Sequence, residues 1–258
     1  MSMRRVIVTR PAREAQRWVA ALRAAGLDAV ALPLIVIDTL PPPAAQLATR
    51  LPLDRYDALM FVSAAAVEHF FARHAHAADL QAMPRCWATG PGTTRALLDA
   101  GVPAATIDAP SAQAIQLDSE ALWERVQAQV LAGARVLIVR GGDASGHATG
   151  RDWLARQIEA AGGVVDTQVA YRRLPPSFGA DDMQLAMEGA RGEATWLFSS
   201  SEAIANLCQA LPGTAWQAAR AVATHARIAQ AAQDAGFGLV RTSAPTMAAL
   251  VASIEFAG

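Results

Sequence analysis

The stretch from Ala134 to Gly163, ARVLIVRGGDASGHATGRDWLARQIEAAGG, limits the possible fold more than any other. It opens on a continuous apolar run, Val136 to Val139, which reads as a strand buried on both faces of a parallel sheet. Arg140 and Gly141-Gly142 follow, then a polar loop, then a helix with Trp153, Leu154 and Ile158 at helical spacing. Gly162-Gly163 end that helix by supplying a left-handed cap. The same strand–turn–helix unit opens the chain. RVIVTR runs from Arg5 to Arg10, Pro11 suits the first turn of a helix, and that helix carries Trp18, Val19 and Leu22 before stopping at Gly26.

The repetition continues. MFVSAAAVEHF from Met60 answers LFSSSEAIANL from Leu197, and CWATGPGTTRALLDAG from Cys86 answers AVATHARIAQAAQDAG from Ala221. Duplication is the simplest account, although short α/β units also converge on common turn chemistry. Between the matched segments the pattern predicts one strand over 27–37, with Pro33 near its middle, and strands over 56–63, 85–89, 105–108, 164–171, 195–199, 221–224 and 239–242. Helices are expected over 64–71, 118–131, 181–187, 201–211, 227–236 and 246–254. Proline-rich segments after Thr39 and Arg172 read as linkers. Such alternation calls for parallel sheets with helices on both faces. The halves can be sequential domains, or each linker can carry the chain across so that each domain mixes both halves. In either case strand ends and the domain junction make the natural cleft.

Composition removes several functions. Net charge is -1 and the sequence pI is near 6.5, which argues against a dedicated nucleic-acid binder. No apolar run resembling a secretory signal is visible at the start. The longest apolar stretch, Ala29 to Ile37, contains Pro33 and is too short to span a bilayer. Two cysteines, Cys86 and Cys208, make no framework and suit a reduced cytoplasm. All 22 basic residues are arginine. Codon usage is the simpler reason, but the absence of lysine excludes P-loop, Schiff-base and pyridoxal chemistry. GPGTTR lacks the third glycine of a dinucleotide fingerprint, and no G-x-S-x-G elbow is present. His69, His74 and His76 lack zinc spacing and read as a solvated helix end.

Seven segments in order carry a resemblance: TRP, FVS with AV, TGPGTTRALLDAG, VRG with GRDWL, VAYRR, FSS, and the last Gly-stopped helix. Together they cover essentially the whole chain, which resembles the uroporphyrinogen-III synthases. The resemblance implies two similar doubly wound, flavodoxin-like α/β domains joined by a two-stranded linker, with the chain crossing twice. Residues 1–38 with 176–258 would form one domain and 44–168 the other, with 39–43 and 169–175 as linker strands. It further implies a monomer with a cleft between domains, no metal and no organic cofactor. The implied reaction turns hydroxymethylbilane, a linear tetrapyrrole with eight carboxylates, into uroporphyrinogen III. Water is lost, the last pyrrole is inverted through a spiro intermediate, and the ring closes. No nucleic acid or membrane is implied as a partner, and the substrate's instability admits a transient contact with the preceding pathway enzyme. The rival reading is a non-catalytic, two-domain binding protein for an anionic small molecule.

Loss of hydroxide from an electron-rich pyrrole needs only mild acid help, so the task is chiefly to hold the substrate in the conformation that leads to inversion. Arg10 and Arg140 sit at matching strand ends, either holding carboxylates or pairing with local ones. Gly141, Gly142 and Gly150, with Arg151, either bare N–H groups to an anion or form a flexible loop. Ser63 and Ser200 occupy equivalent turns, where capping and carboxylate binding can coexist. By resemblance both serines face the cleft, as do Gly90 and Thr93. The repeat counterpart of Thr93 is Ile228, where the family often has threonine, and His225 stands where glycine is common and can substitute a donor. Tyr171, one of two tyrosines, stands where the family places its candidate proton donor. A phenol of ordinary pKa can act so, and Tyr also serves as an amphipathic hinge anchor.

Overall fold

The computed structural model describes residues 5–39, 53–74, 83–111 and 119–255. In chain order its strands are β1 (Arg5–Val8), β2 (Ala29–Ala31), β3 (Val36–Thr39), β4 (Ala58–Phe61), β5 (Arg85–Ala88), β6 (Ile107–Asp108), β7 (Arg135–Gly142), β8 (Val164–Leu174), β9 (Ala194–Phe198), β10 (Arg220–Ala223) and β11 (Leu239–Thr242). Its helices are α1 (Ala12–Ala24), α2 (Ala64–His74), α3 (Pro91–Asp99), α4 (Ser119–Val126), α5 (Trp153–Ala160), α6 (Ala180–Ala190), α7 (Ser201–Ala210), α8 (Ala226–Asp234) and α9 (Met247–Glu255). The chain divides into two units, residues 1–36 with 174–258 and residues 37–173.

Each unit is built on one sheet. The first has the strand order β2-β1-β9-β10-β11 and the second β3-β8-β7-β4-β5-β6. Repeat counterparts occupy the same places: β1 and β7, β9 and β4, β10 and β5. The register repeats too. Leu197 faces Val8 on one side and Val222 on the other, while its counterpart Met60 faces Ile138 and Trp87. A slip of one residue would turn every side chain to the wrong face, so a shared register means a shared interior design. The preceding helices also stop alike, on Gly26 at φ 90° and Gly162 at φ 87°, a backbone that other residues rarely adopt.

Alternation along the strands sets the two layers of core. In the second unit Leu59 and Phe61 pack with Val67, Phe70 and Phe71 of α2 and Leu97 of α3. Ala58 and Met60 turn the other way, toward Leu122 and Val126 of α4 and Leu154 and Ile158 of α5. In the first unit Val6, Val8, Leu197 and Val222 meet Val19 and Leu22 of α1 and Leu250 and Ile254 of α9. Burying each large side chain contributes about 1.5–3 kcal/mol.

The crossed connectivity is the observed one, because β1 pairs directly with β9. The single strand expected over 27–37 is two strands in two sheets, β2 and β3. Pro33 has no N–H for a ladder and interrupts it. The second proline segment is less of a loop than its prolines suggest, since β8 continues through Leu174. β3 and β8 are neighbours, and the chain passes from unit to unit within those two strands. Of the expected linker at 39–43, only Thr39 is among the described residues. The helix expected over 118–131 ends at Val126 in a tight turn, Gln127–Gln129, whose Gln129 bonds Trp87 Nε1 and Asp108 instead of continuing the helix.

Candidate functional site

In a doubly wound sheet, ligands settle outside the carboxyl ends of the strands, where the strand order reverses. That reversal falls between β1 and β9 in the first unit and between β7 and β4 in the second. Arg10 and Ser200 flank the first; Arg140-Gly141 and Ser63 flank the second.

In the second unit the elements converge on Tyr171. β8 runs on beyond the length of its counterpart β2, and a bulge between Arg140 and Gly141 brings Gly141 opposite Tyr171. The residue is 1% exposed. Its ring lies on Gly141 so closely that a Cβ there would stand 2.6 Å from Tyr171 Cζ. The phenol oxygen is 3.1 Å from Ser63 Oγ, which also accepts the Ala66 N–H at 3.1 Å and so caps α2. The His69 ring packs 5.6 Å from the Tyr171 ring, with its Nδ1 3.2 Å from Thr39 Oγ1. Burial pushes the His69 pKa below its ordinary value against the pull of Glu68, with Arg73 acting in the same sense as burial. The Arg173 guanidinium lies 6.0 Å from the Tyr171 ring.

His69 therefore corrects the reading of a solvated helix end. His74 does likewise, its ring 4.6 Å from that of Phe70. His76 lies outside the described residues. Sequence reasoning passed over His69 and Thr39 because each meets its partner across the sheet, from segments far apart in the chain.

The arginines take local partners. Arg140 is 6% exposed, donating to Asp152 Oδ1 at 2.7 Å and to the Arg151 carbonyl at 3.2 Å. Gly150, at φ 114°, leaves room for that guanidinium. Arg151 pairs with Glu120 of α4. Arg10 pairs with Glu14 and lies 4.0 Å over the Trp18 ring. Gly141 and Gly142 correct the loop reading: both belong to β7, and Gly142 is paired with Arg172 and bridged to Ala148. Their want of a side chain serves close packing, on Tyr171 for Gly141 and on Val169 and the His147 carbonyl for Gly142.

The remaining candidates stand at helix starts. Gly90 precedes α3, where Thr93 is buried with its hydroxyl 3.5 Å from that of Thr89. Ser200 precedes α7 without a side-chain capping bond, and the His225 ring caps α8 by accepting the Arg227 N–H at 3.1 Å. The structure thus brings Ser63, Gly141 and Tyr171 into one contact. Arg140, Gly150 and Arg151 form a second cluster. Arg10, Ser200 and His225 follow the neighbouring strands β1, β9 and β10.

A fold of two repeated doubly wound units, with hydroxyl, imidazole and guanidinium groups at the carboxyl ends of parallel strands, defines an α/β protein of the small-ligand class. The sequence profile described as uroporphyrinogen-III synthase HemD matches residues 16–252, and the chain belongs to that family, one of cyclising lyases. Two solved structures share the fold. Uroporphyrinogen-III synthetase from Helicobacter pylori aligns at 16% identity and TM-score 0.65, over 98% of this chain and 100% of that one. A mutant uroporphyrinogen III synthase from Thermus thermophilus aligns at 17% identity and TM-score 0.58, over 98% of each chain.

Proposed function

We propose that this chain cyclises hydroxymethylbilane to uroporphyrinogen III, and that the phenol of Tyr171 gives the proton that leaves with the hydroxide as water. Family membership over residues 16–252 supports the reaction. The single observation that supports the acid is the buried phenol beside the strand-order reversal, hydrogen-bonded to Ser63 and faced by the His69 imidazole. A phenol hydroxyl can lend its proton at short range.

Departure of hydroxide leaves a cationic azafulvene. The last pyrrole then attacks through its substituted carbon, and the resulting spiro compound fragments and closes again with that ring inverted, the closing pyrrole carbon losing the one proton that restores the phenol. The residues' larger task is to make this path the near one. The backbone N–H groups that open α2, α3, α7 and α8, next to Ser63, Gly90, Ser200 and His225, are suited to substrate carboxylates. Arg10 and Arg140, each already paired with a carboxylate, would position such groups rather than supply unbalanced charge. Action as a monomer in a reduced cytoplasm suits the free Cys86 and Cys208, with transient contact with the enzyme that makes the unstable substrate. Among the described residues no helix is long and apolar enough to cross a membrane.

The test is to incubate the protein with fresh hydroxymethylbilane and separate the type I and type III isomers after oxidation. Type III is expected to dominate. Type I alone, as in the blank, would leave only the anion-binding reading.

A further inference from the structure

We propose that His69 is a positioning residue for Tyr171: with Thr39 behind it, its ring holds the phenol against Gly141 with its oxygen turned to Ser63. The inference rests on the reading of Tyr171 as the acid.

Three contacts define the ring's place. Gly141 is its floor, where a Cβ would overlap Cζ, Cε2 and Oη at 2.6–2.9 Å. Ser63 Oγ meets its oxygen at 3.1 Å. The imidazole covers it at 5.6 Å between ring centres, inclined by 33°. His69 is half-buried, and a position filled there for packing alone would take a leucine or phenylalanine, which carry no polar edge to satisfy. Here the polar edge is used, since Nδ1 lies 3.2 Å from the Thr39 hydroxyl on β3. The imidazole is thereby fixed from α2 and β3 together, and the phenol from α2, β7 and β8. A donor held in this way stays near its working geometry, and misplacing such a group costs rate.

The charged and titratable groups around His69 are Glu68 and Arg73 on its own helix, Asp38 on β3, and Tyr171 with Arg173 on β8. Lowering the pH protonates the imidazole and places a cation against the phenol, so Tyr171 should sense the titration.

Only two tyrosines exist, which makes the test direct. In a Tyr56→Phe background with ring-labelled tyrosine, one NMR signal reports Tyr171. That signal is expected to move on acidification with a midpoint below that of an ordinary imidazole, to lose the movement in His69→Phe, and to keep it in His74→Phe. The same movement in His69→Phe would overturn the proposal. Turnover gives the second readout. His69→Phe, checked for an unchanged melting transition, should lower kcat about tenfold with little change in KM, and should add no further loss to Tyr171→Phe. An equal loss in both backgrounds, or none in His69→Phe while Tyr171→Phe is slow, also overturns it. Unchanged turnover in Tyr171→Phe would remove the acid role instead, and the NMR titration would then decide by itself whether His69 positions the phenol.

Discussion

The two units share a frame and differ in what they hang on it. Arg10-Pro11 and Arg140-Gly141 are counterparts in the repeat. Pro11 leads straight into α1, whereas Gly141 and Gly142 extend β7, and α5 begins only at Trp153. β2 stops at Ala31, two residues before Pro33, but its counterpart β8 continues to Leu174 and delivers Tyr171. Ser63 caps its helix and touches that phenol, while Ser200 makes no capping bond. Thr93 is matched by the buried Ile228. Duplication kept the register and the stop glycines, which every copy needs in order to fold. On the proposed function, the strand ends of one copy are the ones that carry the acid.

If that division is right, the largest effect should follow from the smallest side chain. Gly141→Val places branched carbon atoms where the Tyr171 ring lies, so turnover should fall more than about 100-fold, with about 1–3 kcal/mol of overpacking visible in the melt. Pro11→Ala at the counterpart should leave turnover within about twofold, because Pro11 only opens α1 within its own unit. Equal losses at both would erase the contrast. Tyr171→Phe comes next. It removes one hydroxyl and no packing, so kcat should drop about 100-fold while the unfolding transition stays within about 1 kcal/mol. Steady-state kinetics with a denaturant melt reads both.

Acid separates the units more gently. In the second unit burial opposes the charge of Asp108, yet hydrogen bonds from Arg85 and Gln129 together hold its pKa below the usual carboxylate value. Hydrogen bonds from Arg135 and then Tyr56 do the same for Asp166. A depressed folded pKa means stability that is complete above the unfolded value and lost as pH falls through the folded one, so the loss begins near pH 4. In the first unit the comparable lowering is at Glu193, paired with Arg191 in open solvent, where screening weakens it. Amide exchange in β5, β7 and β8 should therefore rise before that in β9 and β10 as pH drops from about 5 to 3. Asp108→Asn should weaken the second unit at neutral pH and flatten its response to acid. Exchange rising equally in both units would count against these pairs.

The frame was legible in the sequence because it is local: a buried apolar run, a stop glycine and a capping residue each announce themselves within a few positions. Doubling made the signal stronger, and the repeat alignment carries the observed register without adjustment. What crosses the sheet was not legible. The glycines after Arg140 look like a loop in sequence, since nothing nearby says that a ring from β8 needs their place. Whether Arg140 pairs locally or holds a ligand stayed open in the sequence, because its carboxylate, Asp152, stands beyond a polar stretch on the far side of that turn. The division of 27–37 between two sheets was announced only by Pro33.

The two serines give the finest comparison. Each stands between a buried strand and a helix, where serine suits the N-cap. Ser63 Oγ accepts the Ala66 N–H at 3.1 Å, so Ser63→Ala leaves one opening N–H of α2 without its partner and takes the hydrogen bond from Tyr171 as well. The loss of the cap alone should cost about 1 kcal/mol in a chemical melt. Ser200 holds extended backbone at φ -153°, ψ 135° with no capping bond from its side chain, so Ser200→Ala has no cap to remove and should change stability by only a few tenths of that. The kinetic contrast points elsewhere. A hydroxyl not used for folding is the one at liberty for a ligand, so Ser200→Ala should raise KM for hydroxymethylbilane with kcat nearly kept, whereas Ser63→Ala should lower kcat through Tyr171. If both variants lost the same stability and changed the same kinetic constant, the two turns would be copies in function as well as in fold, and the asymmetry between the units would reduce to Tyr171 alone.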